Sequence, residues 1–321
     1  MLRRVRRHWQ LFKARREPNY IGERKYRDKQ LDTQHMVSPE NVVFSCNTED
    51  PFDCAEQELL SMVGERPTLE QLEQKIDAIR ERFERTNTYQ VGLLAILAQA
   101  PRAVLAQIQM DEHPHGYRNK QERLYELIDF NDTIVATVLV LNDTLRTQFA
   151  ESMKQSADRL CKRIGVPCFT NEQWTAIVRG LTREVAVYSA AKNNGFNAVL
   201  TSRTQDALGI DVQVQDPQSR RYINVDVKTP SAFHYRIRVL MHEGRLNSHE
   251  ADAAEERGYA LQENGHGKQK AQIVLLCIVP EQYGDLANFR FVDEAPMRES
   301  LNRLIREYGL SDGKFGMTNF S

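Results

Sequence analysis

The sequence predicts a protein of two folded parts, an all-helical N-terminal part and a C-terminal α/β part. Over residues 41–168, apolar side chains recur every three or four positions, which is typical of amphipathic helices. From residue 169 onwards, runs that alternate between apolar and polar residues are interleaved with further helical patterns, as in an α/β domain. Ahead of both parts, residues 1–40 form a basic segment with little regular pattern.

The composition is that of an ordinary globular chain. It has 321 residues, of which 41% are hydrophobic and 27% are charged, with a formal net charge of −1. This length accommodates one large or two medium domains with a substantial core. Net charge does not indicate a partner, but the excess of Lys and Arg in residues 1–40 is typical of arms that bind nucleic acid or anionic surfaces. A solvated basic helix is the alternative.

The cysteines and the apolar runs favour a cytoplasmic protein. The five cysteines are odd in number and include no CxxC motif, so neither a disulfide framework nor a zinc site is expected. No apolar segment of the secretory type follows the N-terminal charges. The longest apolar run, Ile134–Leu141, is too short to cross a bilayer, so no membrane partner is expected.

The helical part shows start and stop signals but no catalytic constellation. Pro67-Thr68 precedes an amphipathic run, Pro101 is expected to break residues 89–109 into two helices, and Gly165 is expected to end a helix over residues 119–163. We expect these helices to dock a partner protein, to form a homodimer or to act as a sensor. The acids and histidines of loop 111–116 are an alternative metal site, although an exposed polar loop is the default.

The α/β part is predicted to begin with a helix, because Thr170 and Gln173 have the spacing of a capping box. The remaining predicted elements follow in chain order: a first strand over 196–201, the hairpin 210–228, a strand presenting basic residues over 233–240, a helix over 248–262, a buried strand over 273–279 and a helix over 296–308.

The hairpin alternates cleanly along both strands, with turn residues at Asp216-Pro217. Alternation assigns one set of side chains to the core face: Ile210, Val212, Val214, Ile223, Val225 and Val227. It assigns another set to the opposite face: Asp211, Gln213, Asn224, Asp226 and Lys228.

The register of the hairpin predicts that two acids meet. If Asp216 pairs with Arg221, then Asp211 lies opposite Asp226, with Cβ atoms about 4.5–5.5 Å apart. Carboxylates at this distance repel each other, and a divalent cation with oxygen ligands would offset the repulsion. Two acids with Lys228 on the same face therefore indicate a metal-dependent hydrolytic site, while an ion pair of Lys228 with Asp226 is the structural alternative.

A third acid, Glu184, lies within the apolar stripe of the helix that precedes the sheet, between Leu181 and Tyr188. A carboxylate held against a core is costly unless it has a partner. Either Glu184 lies at the edge of the stripe and is solvated, or it points at the two aspartates and shares their metal.

This arrangement resembles the PD-(D/E)xK nuclease superfamily over about residues 170–280. Glu184 on the helix, Asp211 on the second strand and Asp226-Val227-Lys228 on the third carry the resemblance. It implies a restriction-endonuclease-like domain with an α-β-β-β-α-β core and a mixed sheet. The chain departs from the family pattern in having Ile210 in place of a proline and a long insert over residues 233–262.

The resemblance also implies roles for these residues. Asp211 and Asp226 would bind Mg²⁺, with Mn²⁺ as a substitute, and Glu184 and the Val227 carbonyl would complete the ligand set. Lys228 would position the attacking water or stabilise charge on the phosphate. Such a site hydrolyses phosphodiester bonds, which require a nucleophilic water and compensation of the growing negative charge.

The sequence thus predicts a cytoplasmic Mg²⁺-dependent endonuclease acting on nucleic acid, with double-stranded DNA favoured and a role in restriction or defence. Six residues are candidates for contacts with the nucleic acid: Gln213, Asn224, Arg236, Arg238, Lys268 and Lys270. Asp206 is a substitute acid if the register differs. The alternatives are a non-catalytic nucleic-acid-binding or assembly module with a nuclease-like core, and an RNA- or structure-specific nuclease.

Overall fold

The computed structural model describes residues 50–112, 121–201, 205, 208–264, 271–311 and 315, with side chains from residue 125 in the segment that begins at 121. The basic arm, Asp206, Lys268, Lys270 and most of loop 111–116 lie outside these residues. Six long helices come first: α1 (Pro51–Val63), α2 (Leu69–Thr86), α3 (Tyr89–Asp111), α4 (Gln121–Val140), α5 (Asp143–Ile164) and α6 (Asn171–Asn193).

Two of the predicted helix starts are confirmed in atomic detail. At α2, the Thr68 hydroxyl accepts from the Gln71 N–H at 3.2 Å, and the Gln71 side chain accepts from the Thr68 N–H at 2.7 Å. Thr170 and Gln173 form the same reciprocal capping box at α6. Gly165, at a φ of 71°, ends α5 in the left-handed conformation that favours glycine.

Two predicted helix boundaries are wrong. Helix α3 continues through Pro101, although a proline removes one backbone hydrogen bond. Because α3 is buried among α1, α2, α4 and α5, packing outweighs this local cost. Conversely, the single helix predicted over 119–163 is split at Leu141-Asn142, where the Asn142 side chain caps α5 by accepting from the Leu145 N–H at 2.9 Å.

Helix α3 is the one helix among the described residues that is long and apolar enough to cross a bilayer. Its most apolar window has a mean hydropathy of 1.6, but 78% of that window is buried inside the protein. Burial to this extent is also typical of the central helix of a packed bundle.

The second part of the chain contains a five-stranded mixed sheet in the order β1-β2-β3-β5-β4. Strands β1 to β3 form an antiparallel meander, β5 is parallel to β3, and β4 is antiparallel to β5. The elements are β1 (Asn197–Leu200), β2 (Val212–Gln215), β3 (Tyr222–Lys228), α7 (Pro230–His242), α8 (Ser248–Arg257), β4 (Tyr259–Asn264), β5 (Ala271–Cys277), α9 (Pro280–Tyr283), β6 (Leu286–Ala287), β7 (Arg290–Phe291) and α10 (Ala295–Tyr308). The predicted combination of a helical part with a C-terminal mixed sheet is confirmed.

Residues 233–240, predicted as a strand, lie in helix α7. The Thr229 side chain caps this helix by accepting from the Ala232 N–H at 3.3 Å, and Pro230 fits its first turn. Phe233, Ile237 and Leu240 are buried on one helical face, whereas Tyr235 is 64% exposed. The alternation in the sequence therefore does not match the side chains that are buried.

The helix predicted over 248–262 is also shorter than expected. It ends at Arg257, because Gly258 adopts a φ of 72° and closes it. The following residues, Tyr259–Asn264, form strand β4 at the edge of the sheet.

Helices cover both faces of the sheet. Apolar residues of α6 and α10 pack on one face, against side chains such as Val214 and Val225. On the other face, Phe233 of α7 and Ala254 of α8 cover Leu275 of β5. The first half of α6 belongs to the helical core and its second half to the sheet core, and the described residues form a single compact unit.

The cysteines differ from expectation at one position. Cys161, Cys168 and Cys277 are free thiols, whereas Cys54 is disulfide-bonded. Burial raises the pKa of the Cys161 thiol to about 12, which keeps that group protonated and unreactive at neutral pH.

Substitution of two helix glycines by alanine tests the packing of the helical part, because the two changes should shift the free energy of unfolding in opposite directions. A Cβ at Gly92 would lie 2.8 Å from Cγ2 of Thr137 on α4, whereas a Cβ at Gly180 would meet no atom within 4 Å. We expect Gly92→Ala to lower the free energy of unfolding by about 1–3 kcal/mol through overpacking. We expect Gly180→Ala to raise it by about 0.5–1 kcal/mol, because alanine favours the helix. Urea denaturation measures both changes, and a Gly92→Ala variant as stable as the wild type or more stable would contradict the packing of α3 on α4.

Candidate active site

The predicted register of the hairpin is confirmed. Strands β2 and β3 pair with Val212 opposite Val225, and the Asp216 N–H donates to the Arg221 carbonyl at 3.0 Å. If the ladder continued for one more residue, Asp211 would pair with Asp226.

The chain leaves the regular ladder at Asp211. The Asp211 N–H donates to the Val225 carbonyl at 2.9 Å, one residue out of step with the pairing of Val212, which is the pattern of a β-bulge. The bulge shifts the alternation beyond it. Ile210, predicted to share the core face with Val212, instead packs against Ala271 and Ile273.

The bulge directs the Asp211 carboxylate towards β3. Its Oδ2 accepts from the Val227 N–H at 2.7 Å, in the position where a strand partner would otherwise accept. Asp211 as a whole is half-buried.

Asp226 is enclosed on several sides. It is 4% exposed, Lys228 Nζ forms an ion pair with its Oδ1, and Gln262 Nε2 donates to its Oδ2 at 3.4 Å. The turn at Gly209 packs against the Asp226 carboxylate, since a Cβ there would lie 3.5 Å from Asp226 Oδ2. Gly209 also has a φ of 80°, a backbone conformation that favours glycine at this position.

The surroundings of Asp226 raise its pKa to about 7. Burial is the largest cause, because it disfavours the charged form. The charge of Lys228 opposes this effect, while the charge of Asp211 and a hydrogen bond between the two carboxyl groups raise the pKa further. An added cation would favour the ionised form of Asp226, because opposite charge stabilises a carboxylate.

Two of the predicted nucleic-acid contacts are buried beside this pair. Gln213 Nε2 donates to Asn224 Oδ1 at 2.8 Å, and Asn224 Nδ2 donates to the Gln272 carbonyl at 2.9 Å. Both residues are at most 2% exposed. Their amides stabilise the interior of the sheet, and this burial argues against direct contact with a nucleic acid.

The two predicted arginines lie on helix α7 and not on a strand. Arg236 is half-buried and donates to Gln262 Oε1 at 2.9 Å and to Asn264 Oδ1 at 3.4 Å. Arg238 is exposed. Because residues two apart on a helix are separated by roughly 200° of rotation, these arginines do not form one basic surface.

Gln262 is a site residue that the sequence did not reveal. It links Arg236 to Asp226 and is 4% exposed. The sequence pattern predicts a helix at this position, whereas Gln262 lies in strand β4 of the sheet. The one local signal was Gly258, which ends the helix early and frees the following residues for a strand.

Glu184 is half-buried on α6, whose second half packs on the face of the sheet opposite Asp226. Its neighbour Arg183 donates to the Ile278 carbonyl at 3.4 Å, and the Ile278 N–H donates to the Lys228 carbonyl at 3.0 Å. This turn of α6 therefore lies at the Lys228 end of the sheet. No three His, Cys, Asp or Glu side chains of the described residues are grouped to hold a metal, so Glu184 does not join the aspartates here.

Comparisons with known proteins give no relative for this chain: no family model, no curated protein and no solved structure matches it. The chemistry of the site therefore rests on its own geometry.

This geometry combines two touching carboxyl groups with one ammonium group, and Lys228 is 28% exposed. Mg²⁺ binds through one or two protein carboxylates and keeps several waters. Asp211 and Asp226 fit that requirement without a third acid.

The raised pKa of Asp226 predicts a specific dependence of stability on pH. Its folded-state pKa lies above its unfolded value of 3.8, so between about pH 4 and 7 the folded state binds more protons than the unfolded state. Stability should therefore fall as the pH rises through this window. Asp226→Asn should remove that fall and should be more stable than the wild type at pH 8 in EDTA. Urea denaturation at pH 5 and pH 8 measures the difference.

Asp216, in the turn of the same hairpin, is the matched control. Hydrogen bonds from Ser219 and Gln218 lower its pKa, so Asp216→Asn should not be stabilising at pH 8. If Asp226→Asn proves less stable than the wild type at pH 8, Asp226 serves mainly as the ion-pair partner of Lys228.

Proposed function

We propose that this protein is a Mg²⁺-dependent nuclease that hydrolyses phosphodiester bonds of nucleic acid, with double-stranded DNA as the favoured substrate. The observation that carries the proposal is the meeting of the Asp211 and Asp226 carboxyl groups beside Lys228, with the pKa of Asp226 raised to about 7. A buried acid with a perturbed pKa, in contact with a second acid and a lysine, is typical of functional sites.

The order of elements supports this proposal. Helix α6, the meander β1-β2-β3, the crossover helix α7 and the parallel strand β5 follow the α-β-β-β-α-β order of the restriction-endonuclease-like core. Helix α8 and strand β4 are then an insertion between α7 and β5. This insertion supplies Gln262, so it also contributes to the site.

Each residue has a proposed role. Asp211 and Asp226 would hold Mg²⁺, and the Val227 carbonyl would be a further ligand. A bound Mg²⁺ ion supplies positive charge to the phosphate and lowers the pKa of a coordinated water. Lys228 exchanges its ion pair with Asp226 for contact with the attacking water or the phosphate oxygens, and Gln262 keeps the Asp226 carboxylate in place.

Glu184 has a secondary role in this proposal. Its turn of α6 lies at the Lys228 end of the sheet, so its carboxylate contributes through a bridging water or after a side-chain rotation. Removal of Glu184 should therefore affect cleavage less than removal of either aspartate.

A binding module is the second candidate. It is favoured by the ion pair that already engages Lys228 and by the lack of a three-acid group among the described side chains. Under either candidate, we propose that helices α1 to α5 dock a partner protein or a second copy of the chain, in a cytoplasmic system of restriction or defence.

Plasmid cleavage tests the proposed function. Wild-type protein should nick or cut plasmid DNA with Mg²⁺ or Mn²⁺ and should be inactive in EDTA. Asp226→Ala and Lys228→Ala should each lower the rate by about 10²-fold or more, because each removes charge that acts on the reacting phosphate. Gel analysis of the products over time measures the rates, with folding checked by circular dichroism.

Asp216→Ala removes an acid from the same hairpin outside the site, so it should cut at the wild-type rate. Normal cutting by both site variants would show that the site is elsewhere. If the wild-type protein binds DNA equally well with and without Mg²⁺ and gives no product from DNA or RNA, the binding module is correct.

A further inference from the structure

A polar cavity lies at the end of the sheet that carries Lys228. It has a volume of about 300 Å³ and is formed between α6 and the chain that follows β5. Eight residues line it: Arg179, Thr182, Arg183, Ile278, Pro280, Gly284, Asp285 and Leu286.

The cavity contains two arginines whose positive charges repel each other. Arg179 and Arg183 are one turn apart on α6, a spacing at which like charges destabilise a helix. Within the described part of the chain, neither guanidinium makes an ion pair with a carboxylate. Among the described residues, the half-buried Arg183 donates to two carbonyl oxygens, those of Arg179 at 2.8 Å and Ile278 at 3.4 Å.

The electrostatics of Arg183 agree with this geometry. Burial lowers the pKa of its guanidinium, and the charge of Arg179 lowers it further. Asp285 is the one acid in the cavity lining, so the lining residues carry a net positive charge. A bound anion would relieve the repulsion between the two arginines.

The backbone connects this cavity directly to Lys228. Ile278 accepts from Arg183 through its carbonyl and donates to the Lys228 carbonyl through its N–H. A single residue, Ile278 in the segment after β5, therefore separates Arg183 from the end of β3 that carries Lys228.

We infer that the Arg179–Arg183 cavity binds a backbone phosphate of the nucleic acid, close along the strand to the phosphate that is hydrolysed. Guanidinium groups suit this ligand, because their planar donors match phosphate oxygens in pairs. A phosphate contact does not depend on base sequence. It would fix the position of the nucleic-acid backbone relative to Lys228. This inference rests on the proposed function, since it takes nucleic acid as the substrate.

The test separates binding from cleavage. Arg179→Gln/Arg183→Gln is compared with the wild type by fluorescence anisotropy, with a labelled 20-base-pair DNA duplex, in EDTA and over a series of salt concentrations. We expect the dissociation constant to rise about tenfold at low salt. The slope of log K against log salt should also shrink by about 0.9, the value for one duplex phosphate contact.

The matched control is Arg66→Gln/Arg85→Gln, which makes the same charge change at two exposed arginines of the helical part. Its affinity should stay within about twofold of the wild type, because phosphate contacts act locally under salt screening. Arg179→Lys/Arg183→Lys should restore the salt slope, since it keeps the charge, but should recover the affinity only in part.

The outcomes distinguish the two proposals. If the wild type cuts DNA while Arg179→Gln/Arg183→Gln binds as tightly as the wild type, the phosphate cavity is refuted and the nuclease remains. Equal weakening of both double variants also refutes it, because the effect is then general charge. If the wild type neither binds nor cuts nucleic acid, the proposed function fails. Should the double variant unfold, the exposed single change Arg179→Gln gives the same comparison.

Discussion

The contact between the Asp211 and Asp226 carboxyl groups is the constraint on which the arrangement of the site depends. Two acids in contact repel each other when ionised, and the burial of Asp226 strengthens that effect. The fold maintains the contact with its backbone: the bulge turns Asp211 towards the Val227 N–H, and the tight turn at Gly209 closes over Asp226. A region that contributed only to stability would gain from an amide in place of one acid. The presence of acids at both positions therefore favours a role that requires negative charge.

The rest of the sheet supports this contact from one side. Helix α7 crosses over β5 and covers the apolar part of the face, which leaves the polar side chains of β3 at its margin. The segment between α7 and β5 then adds Gln262, which is linked to Arg236 and donates to Asp226. Packing of α7 is thus coupled to the orientation of the Asp226 side chain, although these residues are distant in the sequence.

Local features of the sequence predicted the hairpin and its register, because alternation and turn residues act over a few positions. The same holds for the capping boxes at Thr68 and Thr170. Alternation misled at residues 233–240, since a short run of this kind also fits a helix once Thr229 and Pro230 start one. The bulge at Asp211 and the position of Glu184 depend on contacts between strands and helices far apart in the chain, so periodicity alone cannot predict them. The position of Gln262 also depends on contacts between residues far apart in the chain.

The distribution of charge around the end of the sheet agrees with the chemistry proposed for it. Inside, full ionisation of Asp211 and Asp226 would give more negative charge than Lys228 neutralises, and a bound cation would offset that excess. Outside, Arg179 and Arg183 on α6 hold positive charge that no described acid pairs with, so the surface attracts an anion. A hydrolase acting on phosphodiesters needs both, because its cation and its polyanionic substrate must meet at the reacting phosphate. Ile278 links the two regions through its backbone, because its carbonyl accepts from Arg183 and its N–H donates to the Lys228 carbonyl.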